Sequence, residues 1–310
     1  MSTLVYTHTD CLDHRPGPGH PESPERLKSV LCALQAPEFA SLQWRDAPLG
    51  TREQLLLIHD PEFVDEVADL APTQGYVPLD GGDTIMSPGS WGAVMRCVGA
   101  ACAGVDAVMS REVKNVFCAT RPCGHHAEAD RAMGFCIFNQ AAIAAAYAYE
   151  DHKLERIAVV DFDVHHGNGT QAAFFDRPEL FYASCHQSPF YPGTGAKSET
   201  GVAHNIVNLP LPRGCDSALF RARVAAEMLP AIERFDPELL IISAGFDAHY
   251  LDTLAGLNLT DDDFRWITEE LLRIADASCD GRIVSILEGG YSLDGLASGA
   301  AAHVRGLMAG

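Results

Sequence analysis

Basic residues are scarce in this chain. Its 310 residues carry 22 Lys and Arg against 42 Asp and Glu, a formal charge of −20. Nucleic-acid binding needs a basic footprint, so that class of function is set aside. The same charge suits cationic partners such as lysine-bearing peptides or polyamines. Cys-x-x-Cys pairs are also lacking, although ten cysteines are present; the closest spacings are Cys97 to Cys102 and Cys118 to Cys123. Zinc-knuckle and thiol-redox patterns are therefore not read, and the cysteines are expected to be reduced. No basic stretch followed by an apolar core opens the sequence, so no signal peptide is expected. No apolar run is read as reaching transmembrane length, and a cytoplasmic enzyme without membrane association is the expectation. No linker and no internal repeat stands out, so residues 1–310 are read as one domain.

What is present is a 47% hydrophobic chain in which short apolar runs alternate with helical stretches. Strands are expected at 4–6, 115–118, 157–160, 180–184, 205–209, 239–243 and 282–287. Helices are expected at 25–35, 52–70, 92–109, 139–149, 170–176, 216–234, 261–276 and 293–308. Loops are expected at 11–26, where four prolines exclude a helix interior, and at 80–90. The alternation predicts an α/β fold with an open, mostly parallel sheet and helices on both faces. In such sheets ligands bind beyond the carboxyl ends of the strands.

The chemically loaded residues fall there. The strand 157–160 runs into Asp161-Phe162-Asp163-Val164-His165-His166-Gly167-Asn168-Gly169. Strand alternation predicts that Asp161, Asp163 and His165 project to one side. A buried strand end does not carry unpaired carboxylates cheaply, which calls for a cation. The strand 239–243 delivers Asp247. With Asp163 and His165 it makes three ligands and leaves a zinc position open, the pattern of a catalytic site. The two carboxylates would neutralise the ion's charge. Strand 115–118 delivers Arg121-Pro122-Cys123-Gly124-His125-His126, a histidine pair suited to acid–base work. Each imidazole needs a partner on its far nitrogen, and Asp161 and Asn168 are at hand. The last strand delivers Gly289-Gly290-Tyr291, whose hydroxyl suits a developing oxyanion. Gly134-Phe135 and Phe190-Tyr191 lie on loops that could wall a narrow tunnel for an aliphatic chain.

With these pieces assembled, the chain resembles the zinc-dependent histone deacetylase family, of the arginase/deacetylase fold. It is similar to class II-like and bacterial deacetylase-like amidohydrolases and to acetylpolyamine amidohydrolases. The resemblance runs through His20 to Arg26, Arg121 to Glu128, Gly134 to Asn139, Asp161 to Gly169, Ser243 to Asp247 and Glu288 to Tyr291, six pieces in order. It implies a zinc-dependent deacetylase with one Zn2+ on Asp163, His165 and Asp247. It implies His126 as the principal base with Asn168 behind it, and His125 as electrostatic partner or acid with Asp161 behind it. Tyr291 would polarise the amide carbonyl, Phe135 and Tyr191 would flank the acyl-lysine tunnel, and Arg26 would lie where acetate leaves. A structural potassium ion would use oxygens of Asp161, Asp163 and His165 with Ser184 and Cys185.

Three features set the chain apart. Asn168 stands where class I enzymes have aspartate, which sides it with class II. Tyr191 stands where phenylalanine is usual and makes the tunnel mouth more polar. Leu254 stands where polyamine-selective relatives can carry a glutamate. An acyl-lysine peptide or protein is thus the expected partner, with an acetylated small amine as the alternative. A two-metal ureohydrolase and a catalytically dead acyl-lysine reader are the competing classes; Asn168 speaks against the first and the full ligand set against the second.

Overall fold

The computed structural model describes residues 3–310. The strands are β1 (Thr3–Thr7), β2 (Gln43–Asp46), β3 (Val77–Pro78), β4 (Ile85–Met86), β5 (Asn115–Cys118), β6 (Ile157–Asp161), β7 (Leu180–Gln187), β8 (Ile206–Leu211), β9 (Leu239–Ala244) and β10 (Ile283–Leu287). Eight of them form one sheet in the order β2-β1-β5-β10-β9-β6-β7-β8, and every pair in it is parallel. β3 and β4 make a small antiparallel hairpin apart from it. The helices are α1 (Pro24–Ala33), α2 (Arg52–Leu55), α3 (Pro61–Leu70), α4 (Ser90–Met109), α5 (Gln140–Glu150), α6 (Asn168–Phe174), α7 (Ser217–Arg223), α8 (Leu229–Phe235), α9 (Asp261–Ser278) and α10 (Leu293–Ala309).

Alternation along the strands feeds two separate cores. Leu4, Val116, Ile157, Val159, Leu239 and Ile241 pack on one face with α4 and α5. Val5, Phe117, Ala158, Val160, Leu240 and Ile242 pack on the other with α1, α9 and α10. Burial on both faces is why these strands read as unbroken apolar runs. The four central neighbours β5, β10, β9 and β6 come from distant parts of the sequence. Their carboxyl ends nevertheless lie side by side, which gathers the loaded loops into one place.

Several expectations need correction. β2 adds a strand to those expected: it is an edge strand whose residues are largely exposed, so it carries no apolar run. The stretch 52–70 is two helices, because Pro61 cannot continue a helix but starts one well, with Asp60 at its N-cap. The segment 216–234 is interrupted by a π-helical turn at Val224–Met228, just before Pro230, whose missing N–H breaks the regular ladder. The loop 80–90 is tied down, since Asp80 Oδ1 accepts the N–H groups of Gly82, Asp83 and Thr84 at 3.0, 2.8 and 2.8 Å. Finally, α4 is long and apolar enough to cross a membrane by length and composition alone; in this fold it is mostly buried, packed on the sheet and α5.

Candidate active site and metal centre

Asp163, His165 and Asp247 converge. Their ligand atoms all lie within 4.8 Å of one another. His165 Nδ1 is 3.0 Å from Asp163 Oδ1 and 3.1 Å from Asp247 Oδ2. Backbone donors hold each carboxylate: Gly289 N–H donates to Asp163 Oδ2 at 2.8 Å and Val164 N–H to Asp247 Oδ1 at 2.9 Å. Glycine is needed at two of the supporting positions. A Cβ on Gly289 would stand 2.2 Å from Asp247 Oδ2, and one on Gly245 would stand 2.1 Å from Asp163 Oδ2.

The donor set fits a divalent cation. Both carboxylates are fully buried. Burial first, and then the charge of Asp163, pushes the Asp247 carboxyl up to about 7. Burial acts against a charge on His165, yet the two carboxylates outweigh it and push the imidazole up to about 10. Both directions express the same demand for positive charge among these three groups. Two oxygens and one nitrogen with a free side match a catalytic zinc site.

Strand alternation is not what aims these side chains. β6 ends at Asp161, and Asp163 and His165 belong to the turn after it. Asp161 points elsewhere, toward His125 Nδ1 at 3.0 Å and the hydroxyl of Tyr182 at 2.9 Å. The expected three-way alignment of Asp161, Asp163 and His165 is therefore replaced by a division of labour: two residues at the cation position and one behind a histidine.

The imidazoles of His125 and His126 lie against each other, tilted by 43° with centroids 4.0 Å apart. His126 Nδ1 meets Asn168 Oδ1 at 2.9 Å, and Asn168 Nδ2 donates to Glu128 Oε1 at 2.6 Å, which fixes the amide's orientation. Nδ1 of His126 must then carry the proton, and Nε2 keeps a lone pair. Burial opposes charge on both rings. On His125 the carboxylates of Asp161 and Asp163 overcome it and hold the imidazole well above its ordinary value. On His126 burial is joined by the positive charges of His125 and His165, and the ring is held well below its ordinary value. One ring is set to hold a proton and its neighbour to accept one.

Asp83, His126, Gly134, Phe135, His165, Tyr191, Leu254 and Tyr291 line a cavity of about 200 Å3 above this cluster. Phe135 adopts φ 69° and lies edge-on to Tyr291 at 5.8 Å, while Tyr191 lies edge-on to His126 at 5.1 Å. Phe190 is not among the lining residues. It stacks on His165 at 5.2 Å and supports that ring from behind, a correction to its expected place in the tunnel. Arg26 is fully engaged beneath the site: Nε donates to Gly290 O at 2.6 Å, one terminal nitrogen to Glu288 O at 2.5 Å and the other to Glu22 Oε1 at 3.0 Å. Ser184 pairs with Asp161 across β6 and β7, and Cys185 Sγ is 3.8 Å from Asp161 O.

Three residues of the site escaped sequence reasoning. Glu288 accepts the N–H of Gly124 at 2.7 Å, reaches His125 N–H at 3.3 Å and takes the Ser243 hydroxyl at 3.3 Å, so it braces the histidine loop. Burial first, then the charges of Asp161 and Asp163, pushes it up to about 7 against the pull of His125. Glu22 joins Arg26, Arg121 and His14 in a buried ion cluster. Tyr182 bridges Asp161 and the Gly167 N–H. The first two were visible only as acids in motifs otherwise read for their neighbours. A second group of buried donors, Cys123, Cys136 and Glu288, lies nearby, with the two sulfurs 3.5 Å apart.

The profile of the histone deacetylase domain matches residues 20–307. This chain belongs to the histone deacetylase family. It is 36% identical to the chloroplastic histone deacetylase 14 of Arabidopsis thaliana, over 98% of this chain and 76% of that one. It is 39% identical to the histone deacetylase-like amidohydrolase of Pseudomonas aeruginosa, over 88% of this chain and 73% of that one. The crystal structure of the HDA15 HD domain superposes with a TM-score of 0.93 at 32% identity, covering 99% of this chain and 88% of that one. This histone deacetylase homologue, a single α/β domain built on an eight-stranded parallel sheet, thus shares its fold with the HDA15 HD domain.

Proposed function

We propose that this chain is a zinc-dependent deacetylase that hydrolyses the N-acyl amide of Nε-acetyl-lysine in peptides or proteins. The observation that carries the reading is the placement of Asp163, His165 and Asp247 at the foot of a narrow cavity whose walls include His126 and Tyr291. A Zn2+ ion on these three residues would supply Lewis acidity toward an acyl carbonyl and an acidified water. His126 Nε2 takes the proton from the attacking water, because its other nitrogen is committed to Asn168. His125, paired with Asp161, holds positive charge beside it and supplies a proton to the departing amine. The Tyr291 hydroxyl donates to the carbonyl oxygen as negative charge grows there. Phe135 and Tyr191 enclose the aliphatic stem and exclude water. A structural potassium ion would draw on oxygens of Asp161, Asp163, His165, Ser184 and Cys185, from the end of β6, the turn after it and the facing part of β7.

Leu254 at the rim favours a peptide over a polyamine, since it offers nothing to a distal ammonium. One observation favours the second reading, an acetylpolyamine deacetylase: Asp83 also lines the cavity and is exposed. Turnover of an acetyl-lysine peptide, acetylputrescine and acetylspermidine, before and after chelation and with zinc restored, decides between them. Activity is expected to vanish on chelation and return with the metal, and Tyr291→Phe is expected to lose ~10²-fold or more in kcat. Full turnover by a metal-stripped sample refutes the mechanism.

A further inference from the structure

Asp252 lies between β9 and α9, outside every motif read from the sequence. It is 7% exposed. Its Oδ2 accepts the backbone N–H of Tyr291 at 2.6 Å and of Ser292 at 3.0 Å. Its Oδ1 accepts the backbone N–H of Leu254 at 2.9 Å. Its own N–H donates to His249 O at 2.8 Å. One carboxylate therefore gathers three amide groups from two loops, one at the cavity rim and one carrying the tyrosine. Ser292 in turn caps α10 through the N–H of Gly295 at 3.3 Å.

Upstream of Tyr291 the backbone passes through Gly289 and Gly290, the latter at φ 124°, a region that glycine enters freely. The Tyr291 hydroxyl makes no hydrogen bond among the described residues. Its ring rests on Phe135 and on the Arg26 guanidinium, 5.0 Å from the centroid. The backbone bonds to Asp252 are thus what holds the tyrosine's main chain on its downstream side. Hydrogen bonds from N–H to a carboxylate are about twice as strong as neutral ones.

We propose that Asp252 is a positioning residue, which fixes the reach of the Tyr291 hydroxyl into the cavity and couples that reach to the Leu254 rim. The inference rests on Tyr291 acting as the carbonyl donor proposed above. Asp252→Asn keeps the shape but turns one oxygen into an N–H2 group. Since both oxygens accept, either orientation of the amide sets a donor against a donor.

The test is a double-mutant cycle with Tyr291→Phe, run on metal-loaded protein with an acetyl-lysine substrate, together with backbone amide exchange. Asp252→Asn is expected to lower kcat ~10–100-fold with KM changed by less than ~3-fold, and to cost less than ~3-fold once Tyr291 is already Phe. Amides 291, 292 and 254 are expected to lose protection while the strands keep theirs. Independent, multiplying losses in the cycle, or unchanged exchange at these amides, overturn the proposal. Asp252→Ser serves in the same design if the Asn variant folds poorly. A wild-type protein that hydrolyses no acyl amide refutes the proposed function instead, and the exchange data then decide the anchoring by themselves.

Discussion

His126 Nδ1 hydrogen-bonds to an uncharged partner, the amide oxygen of Asn168, at 2.9 Å. Its neighbour His125 meets a carboxylate, Asp161, at 3.0 Å. A carboxylate stabilises an imidazolium, whereas an amide oxygen only fixes which nitrogen carries the proton. The pair is therefore asymmetric by construction. Asn168→Leu keeps bulk but removes the acceptor and frees the ring to adopt the other tautomer. A fall in kcat of ~10–100-fold is expected, with metal content unchanged by elemental analysis. Unaltered kcat would remove Asn168 from the machinery.

The cation position depends on two glycines as much as on its ligands. A methyl group at 289 would fall 2.2 Å from Asp247 Oδ2 and 2.5 Å from Asp163 Oδ2. No side-chain rotation relieves this, because both carboxylates are tied to backbone N–H groups. Gly289→Ala is expected to lower zinc affinity by at least ~10–100-fold, the range seen when groups that orient metal ligands are lost. Competition with a fluorescent chelator measures it. Gly92, whose added Cβ meets nothing within 4 Å, supplies the control substitution.

Much of this site is legible in the amino-acid sequence. The central strands are buried on both faces, so their apolar runs stand out, and each runs into the polar residues it delivers. β2 was not legible, since an exposed edge strand has no such run. Nor were the duties of Glu288 and Asp252. Both act mainly through backbone N–H groups, which leave no trace in side-chain identity, and the partners that matter most, Gly124 for Glu288 and Tyr291 for Asp252, lie more than thirty residues away in sequence. The aim of Asp161 also could not be read, because the strand ends one residue before the turn that redirects Asp163.

Burial of neutral histidines predicts acid sensitivity. His303 is fully buried, placed between Thr268 Oγ1 at 2.6 Å and Ser285 Oγ at 2.7 Å, and burial pushes its imidazole down to about 3. His59 is pushed down to about 4 by burial as well; its ring bonds Glu128 O and the Asn139 N–H. An unfolded histidine titrates near 6.5, so below that pH the unfolded chain binds protons that the folded one refuses. The stability each neutral ring confers is complete above pH 6.5 and is lost as pH falls toward these lower values, by about 1.4 kcal/mol per pH unit per ring. Denaturant midpoints measured from pH 7 to pH 5 are expected to fall accordingly. His303→Gln is expected to make that slope shallower by one proton.

The rim residue Leu254 offers the sharpest control over substrate choice. It is 43% exposed and lines the same cavity as His165. A carboxylate there would face any cation that protrudes from the cavity, beside the exposed Asp83. An acetylpolyamine carries such an ammonium at its far end, whereas the main chain of an acetyl-lysine peptide is neutral there. An exposed ion pair contributes up to about 1 kcal/mol, several-fold in an equilibrium constant, and more where water is partly excluded. Leu254→Glu is thus expected to raise the ratio of kcat/KM for acetylspermidine over an acetyl-lysine peptide by ~5–10-fold. High salt should shrink the gain, since screening acts on the new charge pair alone. A ratio that rises equally at all salt concentrations would place the cause in the shape of the rim rather than in its charge.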